Sequence, residues 1–295
     1  MKSITYSFII PHKNSPDLLE RCIGSIPERD DIEIIVVDDN SDIDKTPQIH
    51  RQDVHVVLLD EEHCKGAGRA RNVGLSLAKG KWLLFADCDD YYEENFMEKL
   101  DKYVNTAYDV VYFNFYNSIE GKVDPVNNKI SNYIKKCYEG DLDIDYVKYR
   151  NNSPWNKMVR MDFVQRYKIT FEEVPIANDM FFSFQVGYFA KKWLVTDDYL
   201  YHYISYKNSQ TIINWSDLRI QCVLENIYKR NGFMKMIGRK DWVHGFFYVF
   251  YSSFNENPIK QACRIVCCYI RNYKIISNAE NVYTNIIRKR LQELV

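Results

Sequence analysis

The chain has 295 residues, 46% of them hydrophobic, eight cysteines and a formal net charge of −1. That length and apolar fraction suit one large domain, or a domain with an appendage, and exclude a disordered chain. The near-neutral balance excludes a global field that selects nucleic acid, and no apolar stretch is long enough to span a bilayer.

Met1-Lys2-Ser3 leads directly into a strand pattern with no signal-peptide apolar region. Tyr6 to Ile10 reads as a buried strand closed by Pro11-His12-Lys13-Asn14, and Ser15-Pro16 opens a helix with Leu18, Leu19, Cys22, Ile23 and Ile26 as its apolar stripe. A second strand, Ile32 to Val37, runs into Asp38-Asp39-Asn40-Ser41-Asp42, and Val54 to Leu59 is a third. Gly66-Ala67-Gly68 then opens a helix expected to continue to about Gly80, with Ala70, Val73, Leu77 and Ala78 on one side. Glycines at a helix start suit close approach of a phosphate. The third glycine of a dinucleotide fingerprint is missing, and the segment follows the third strand instead of the first, so an oxidoreductase reading fails.

Trp82 to Ala86 is an apolar strand that stops in Asp87-Cys88-Asp89-Asp90. Crowded carboxylates raise one another's cost of ionisation, and residues two apart in extended chain share a side, so Asp87 and Asp89 can face one cation. The plainer alternative is a polar turn that caps a helix from Glu93 to Asn105. Asp109 to Tyr116 is a further strand, residues 118–149 become helical only from about Asp141, and Trp155 to Arg160 leads into a short helix from Asp162. Asn178 can cap the next helix, with Asp179 on its dipole and Phe181, Phe184 and Tyr188 on its packed face. Leu194 to Tyr203 is strand-like, and His202 within it reads as structural.

From Ser216 onward the pattern is helical only. Aromatics cluster at Trp242, Phe246, Phe247, Tyr248, Phe250 and Tyr251, and bases at Lys260, Arg264, Arg271, Lys274, Arg288, Lys289 and Arg290. The region reads as an appendage packed by its aromatic face, with an interfacial membrane anchor as the alternative. Cys263, Cys267 and Cys268 have no histidine close by and read as buried core thiols, not a zinc set. No disulfide framework is evident, so a reduced, cytoplasmic protein is expected.

Alternating strands and helices with a helical tail predict an α/β fold. Several pieces, in this order, resemble family 2 glycosyltransferases of the GT-A fold. Ser7 to Asn14 is similar to the family's opening strand and P-x-x-N loop, and Ile34 to Ser41 to its V-D-D-x-S segment. Gly66 with Ala70-Arg71-Asn72-Val73-Gly74 resembles the G-x-x-x-A-R-N-x-G helix, and Asp87-Cys88-Asp89-Asp90 the D-x-D-D motif. Trp155-Asn156-Lys157 resembles a W-x-K element, and Asn178-Asp179 stands at the E-D position before Phe182.

The resemblance implies a Rossmann-like, mostly parallel sheet with helices on both faces over residues 1–212, and a helical region over 213–295. Its nucleotide-binding half would be about 1–105 and its acceptor half about 106–212. Pro11, Lys13, Asn14, Asp39, Arg71 and Asp87 would hold the donor nucleotide, and Asp89, with Asp87, would hold Mn²⁺ or Mg²⁺. Asp179 would be the general base, and Lys207 and Ser209 would belong to a loop over the pyrophosphate. The implied activity is metal-dependent, inverting transfer of a hexosyl group from a UDP-sugar to a saccharide or lipid-linked saccharide, on the inner face of a membrane. A catalytically silent GT-A subunit that binds nucleotide-sugar is the alternative. Asn178 in place of Glu, and Lys13 where an aromatic often covers the base, depart from the pattern.

Overall fold

The computed structural model describes residues 3–119, 122–123, 129–205, 216–245 and 258–294. Two compact units emerge, one of Met1–Glu173 with Asn178–Lys207, the other of Val174–Ala177 with Asn208–Val295.

The first unit is built on a mixed sheet. Its strands are β1 (Tyr6–His12), β2 (Ile32–Asp38), β3 (Val54–Leu58), β4 (Trp82–Phe85), β5 (Tyr91–Tyr92), β6 (Val110–Ile119), β7 (Lys122–Val123), β8 (Lys157–Arg160) and β9 (Trp193–Ser205). Their order is β3-β2-β1-β4-β8-β6-β9-β5, with β7 paired to β6. β1 pairs in parallel with β2 and β4, β2 with β3, and β6 with β9, whereas β8 and β5 run antiparallel to their neighbours. The chain therefore steps outward from β1 to β3 and returns to β4 on the other side of β1. That reversal is the switch point at which open α/β sheets hold ligands, beyond the carboxyl ends of the strands.

All seven residues of β1 and of β2 are buried, as continuous apolar strands covered on both faces must be. Helix α2 (Ala67–Leu77) covers one face, where Gly74 lies so close to Ile9 that an added Cβ would stand 2.5 Å from its Cγ2. On the opposite face Phe8 packs edge-on against Phe96 of α3 (Phe96–Asp101) at 6.0 Å. Helices do cover both faces. The first helix, α1 (Pro16–Gly24), has the expected Pro start and buries Leu19, Cys22 and Ile23.

Several local expectations are corrected. Helix α2 stops at Leu77, which is exposed, because Ala78 turns to extended backbone. The predicted helix from Glu93 begins only at Phe96, since Tyr91 and Tyr92 pair with β9. Residues 129–150 form two helices, α4 (Lys129–Glu139) and α5 (Asp145–Arg150), broken at Gly140 with its left-handed φ of 84°. Lys157–Arg160 is strand β8, and it precedes α6 (Met161–Arg166).

The second unit contains α8 (Asp217–Met236), α9 (Pro258–Arg271), α10 (Tyr273–Ala279) and α11 (Val282–Glu293), numbered after α7 (Met180–Phe189) of the first unit. Ser216 caps α8 by accepting the Arg219 amide at 3.2 Å. Its core gathers Ile220, Leu224 and Ile227 from α8, Ile265 and Cys268 from α9, and Ile276 from α10. Cys268 is buried as expected, but Cys263 and Cys267 are exposed. They share one side of α9, and it is Ile265 and Cys268 that face the core.

Candidate active site

Three strand ends deliver the first residues of the site. His12 pairs in register with Asp38, and Ile9 with Phe85, so the loops after β1, β2 and β4 emerge together. The first two are tied by side chains. The His12 Nδ1 lies 2.6 Å from Asp38 Oδ1, while its Nε2 accepts the Ser15 amide at 3.1 Å. With Nε2 accepting, it is Nδ1 that donates to Asp38. Asn14 takes a left-handed φ of 56°, donates its amide to Ser41 Oγ at 2.8 Å, and accepts the Asp42 amide on Oδ1 at 2.8 Å. Pro11 is buried within β1.

Asp39 is almost fully buried and faces the start of α2. Its carboxylate accepts the amides of Lys65 at 3.0 Å and Gly66 at 3.0 and 3.1 Å. Lys13 Nζ donates to the Asp39 carbonyl at 2.9 Å and stands 3.6 Å from its carboxylate. At Gly68 a Cβ would meet the Glu172 carbonyl oxygen at 2.0 Å, so glycine lets α2 lie against the segment that leads to Asn178.

Arg71 is the hub, only 5% exposed. One terminal nitrogen bonds Asp87 Oδ1 at 2.5 Å, the other bonds Asn178 Oδ1 at 2.7 Å, and the guanidinium lies 5.4 Å from the centre of the Phe171 ring. Asn178 thus faces Arg71 and does not cap α7. Asp179 precedes α7 without a side-chain cap bond, and no neighbouring side chain donates to its carboxylate among the described residues. Burial raises its pKa, opposed first by the Arg71 charge.

The acidic cluster divides its roles. Asp87 donates its amide to Tyr201 Oη at 2.9 Å. Asp90 is buried and accepts the Ile204 amide at 2.7 Å, so it anchors β9 instead of capping a helix. Burial, then Asp87 and Asp89, push its carboxyl well above the ordinary value. Burial and the Asp87 charge push Asp89 up to about 6. Asp89 forms no ion pair among the described residues and lies close enough to Asp87 for that carboxylate to raise it, an arrangement a hard divalent cation would relieve. No three or more His, Cys, Asp or Glu side chains gather into a cage among the described residues, so a cation here would draw its other ligands from a bound diphosphate.

Sequence reasoning missed two supports. Trp155 stacks on Tyr201 at 4.8 Å and on Tyr203 at 5.4 Å, which fixes the hydroxyl that receives the Asp87 amide. Lys157 is buried, with Nζ bonded to Asn151 O at 3.3 Å, to Ser153 O, and to Ser183 Oγ at 3.1 Å, one turn beyond Asp179 on α7. The W-x-K element was the available signal for Trp155 and Lys157; Tyr201 had none. His202 is structural, as read: it lies 2.5 Å from Glu93 and stacks on Tyr91 and Tyr116. Lys207 and Ser209 lie outside the described residues.

The switch-point site, with its acidic strand ends and buried arginine, sits in a sheet of the GT-A class. Residues 7–168 match Glycosyl transferase family 2, and the chain belongs to that family. It is 28% identical over 221 residues to the putative glycosyltransferase EpsH of Bacillus subtilis, covering 69% of this chain and 61% of that one. It is 29% identical over 208 residues to a poly(ribitol-phosphate) beta-glucosyltransferase of Bacillus spizizenii, covering 67% of this chain but 32% of the relative. The chain therefore spans less than two thirds of the length of either. Among solved structures, S. aureus TarS 1–349 in complex with UDP-GlcNAc is similar in fold, with a TM-score of 0.63 at 18% identity, over 99% of this chain and 84% of that one.

Proposed function

We propose that this glycosyltransferase moves a hexosyl group from a UDP-sugar to a hydroxyl of a saccharide or lipid-linked saccharide, with inversion, in surface polysaccharide synthesis. We further place it as a peripheral protein on the inner face of the cell membrane. The observation that carries the reaction is Arg71, which joins the acidic end of β4 to Asn178, while the adjoining Asp179 carboxylate has no side-chain donor among the described residues. The UDP-GlcNAc in the similar TarS structure supports the choice of donor.

In this reading Lys13, Asn14, Asp39 and Arg71 hold the nucleotide beside Pro11, with Asp87 at the ribose. Asp39 accepts the base imide. Asp89 and Asp87 would hold Mn²⁺ or Mg²⁺, which supplies Lewis-acid neutralisation of the diphosphate when bound. Asp179 takes the proton of the acceptor hydroxyl as its oxygen attacks the anomeric carbon in line. The new C–O bond forms as the bond to the diphosphate oxygen breaks, and UDP leaves with that electron pair. Single displacement turns an α-linked donor into a β-linked product. Burial suits Asp179 to the task by raising its basicity.

Calorimetric titration with UDP, with Mn²⁺ and then with EDTA, tests the site. Binding should need the metal and fail in Asp89→Ala. Metal-independent binding that survives that change would overturn the role of Asp89, and unaltered UDP binding by Arg71→Ala would overturn the site itself.

A further inference from the structure

The sequence directs attention to the aromatic run from Trp242, but Trp242 is buried, and residues 246–257 lie outside the described residues. A different surface of the second unit has the character of an interaction site. On α9, Cys263, Val266, Cys267 and Ile270 recur at spacings of three and four, which puts them on one face. Both cysteines are exposed, and Val266 and Ile270 are 39% and 67% exposed. Past the end of α9, Tyr273, seven positions after Val266, is 54% exposed, and Ile275, which points to another side of its helix, is 55% exposed. The core-facing side of α9 is already supplied by Ile265 and Cys268, so Val266 and Ile270 form a second apolar side that belongs to no core cluster among the described residues.

Its charge is one-sided. From Pro258 to Ala279 there is no Asp or Glu, while Lys260, Arg264, Arg271 and Lys274 are present. Arg264 is neutralised by Asp217 at 2.7 Å. Arg271 and Lys274 are exposed, flank Ile270, Tyr273 and Ile275, and form no ion pair among the described residues.

We infer that this α9–α10 surface, Val266, Ile270 and Tyr273 with Arg271 and Lys274, is where the protein docks on an anionic phospholipid surface. An apolar stripe with a basic rim, on a segment that has no carboxylate of its own, matches the interfacial zone of a bilayer, where the side chains enter the acyl boundary and the cations meet headgroups. A second copy of the chain fits less well. Two-fold pairing sets a patch against itself, which would bring Arg271 and Lys274 towards their own copies. The inference extends the peripheral placement proposed above and uses no residue of the nucleotide site, so UDP titration on the same variants separates the failure of one from the failure of the other.

Vesicle co-sedimentation tests it, with phosphatidylcholine alone and with phosphatidylcholine plus phosphatidylglycerol. The wild-type chain should pellet with the anionic vesicles and be released by high salt. Arg271→Glu with Lys274→Glu should weaken binding by roughly tenfold or more, given the attraction of each base to an anionic surface. Val266→Glu with Ile270→Glu should abolish it, and both variants should keep the wild-type circular dichroism. Equal binding by wild type and variants, or none by wild type, overturns the inference. So does sedimentation velocity that shows a wild-type dimer dissociated by the Val266 and Ile270 changes, or capture by an acidic protein in place of vesicles.

Discussion

Lys157 offers a test of the scaffold that needs no substrate. It is a buried ammonium with no carboxylate in contact, and burial pushes its pKa from 10.5 down to about 7, with the Asp179 charge opposing. The unfolded chain keeps the proton up to the ordinary lysine value, whereas the folded chain releases it from about pH 7. Between those limits the unfolded state binds more protons, so stability rises with pH across that window. At 1.36 kcal/mol for each pH unit of the gap, the ceiling is about 5 kcal/mol, of which roughly 2 kcal/mol falls between about pH 7 and pH 9. Three oxygen partners favour the charged form, which is why this is a ceiling. Lys157→Met removes the titration and keeps much of the volume. Urea unfolding of both proteins at the two pH values gives the comparison, and subtraction cancels tyrosines and cysteines that titrate in the same range. The wild type should gain about 2 kcal/mol relative to the variant on going to the higher pH. A wild-type minus variant difference that ignores pH would refute the argument.

Asp179→Asn should lower turnover by roughly 10²–10⁴-fold with UDP affinity unchanged; full activity would remove Asp179 as the base. In the wild type the rate should rise with pH through a limb above the ordinary carboxylate value of about 4, because the base acts only when deprotonated and burial raises its pKa. Asn178→Glu should move that limb further up, since a second negative charge beside Asp179 disfavours ionisation; an unmoved pH–rate profile would show that position 178 does not reach the base. Gly68→Ala should cost about 1–3 kcal/mol, because its Cβ must displace the Glu172 carbonyl, and thermal unfolding reads this. Tyr201→Phe should cost about 1–3 kcal/mol by leaving the Asp87 amide without its acceptor, and an unchanged melting temperature would count against that bond.

What the sequence made legible follows the range of each interaction. Strands β1, β2 and β4 are continuous buried runs that end in polar residues, so local pattern gives both the strand and the end at which chemistry collects. β8 hides because it is four residues long and opens on a buried lysine, and β5 because it is two. Cys263 and Cys267 were misplaced because a helix that is apolar on two sides gives a period without saying which side is inside. The hub is a different case. Arg71 meets Asp87 across 16 positions and Asn178 across 107, and no local pattern carries such pairings. Family motifs marked all three residues but said nothing of how Asn alters the balance. With Asn178 neutral, Arg71 has a single carboxylate partner among the described residues, and its charge also reaches Asp89 and Asp179, where it opposes the effect of burial. A glutamate at 178 would draw on that field and add a charge of its own. By this reasoning the neutral amide is expected to leave Asp179 less basic than a glutamate at 178 would, which is what the Asn178→Glu profile tests.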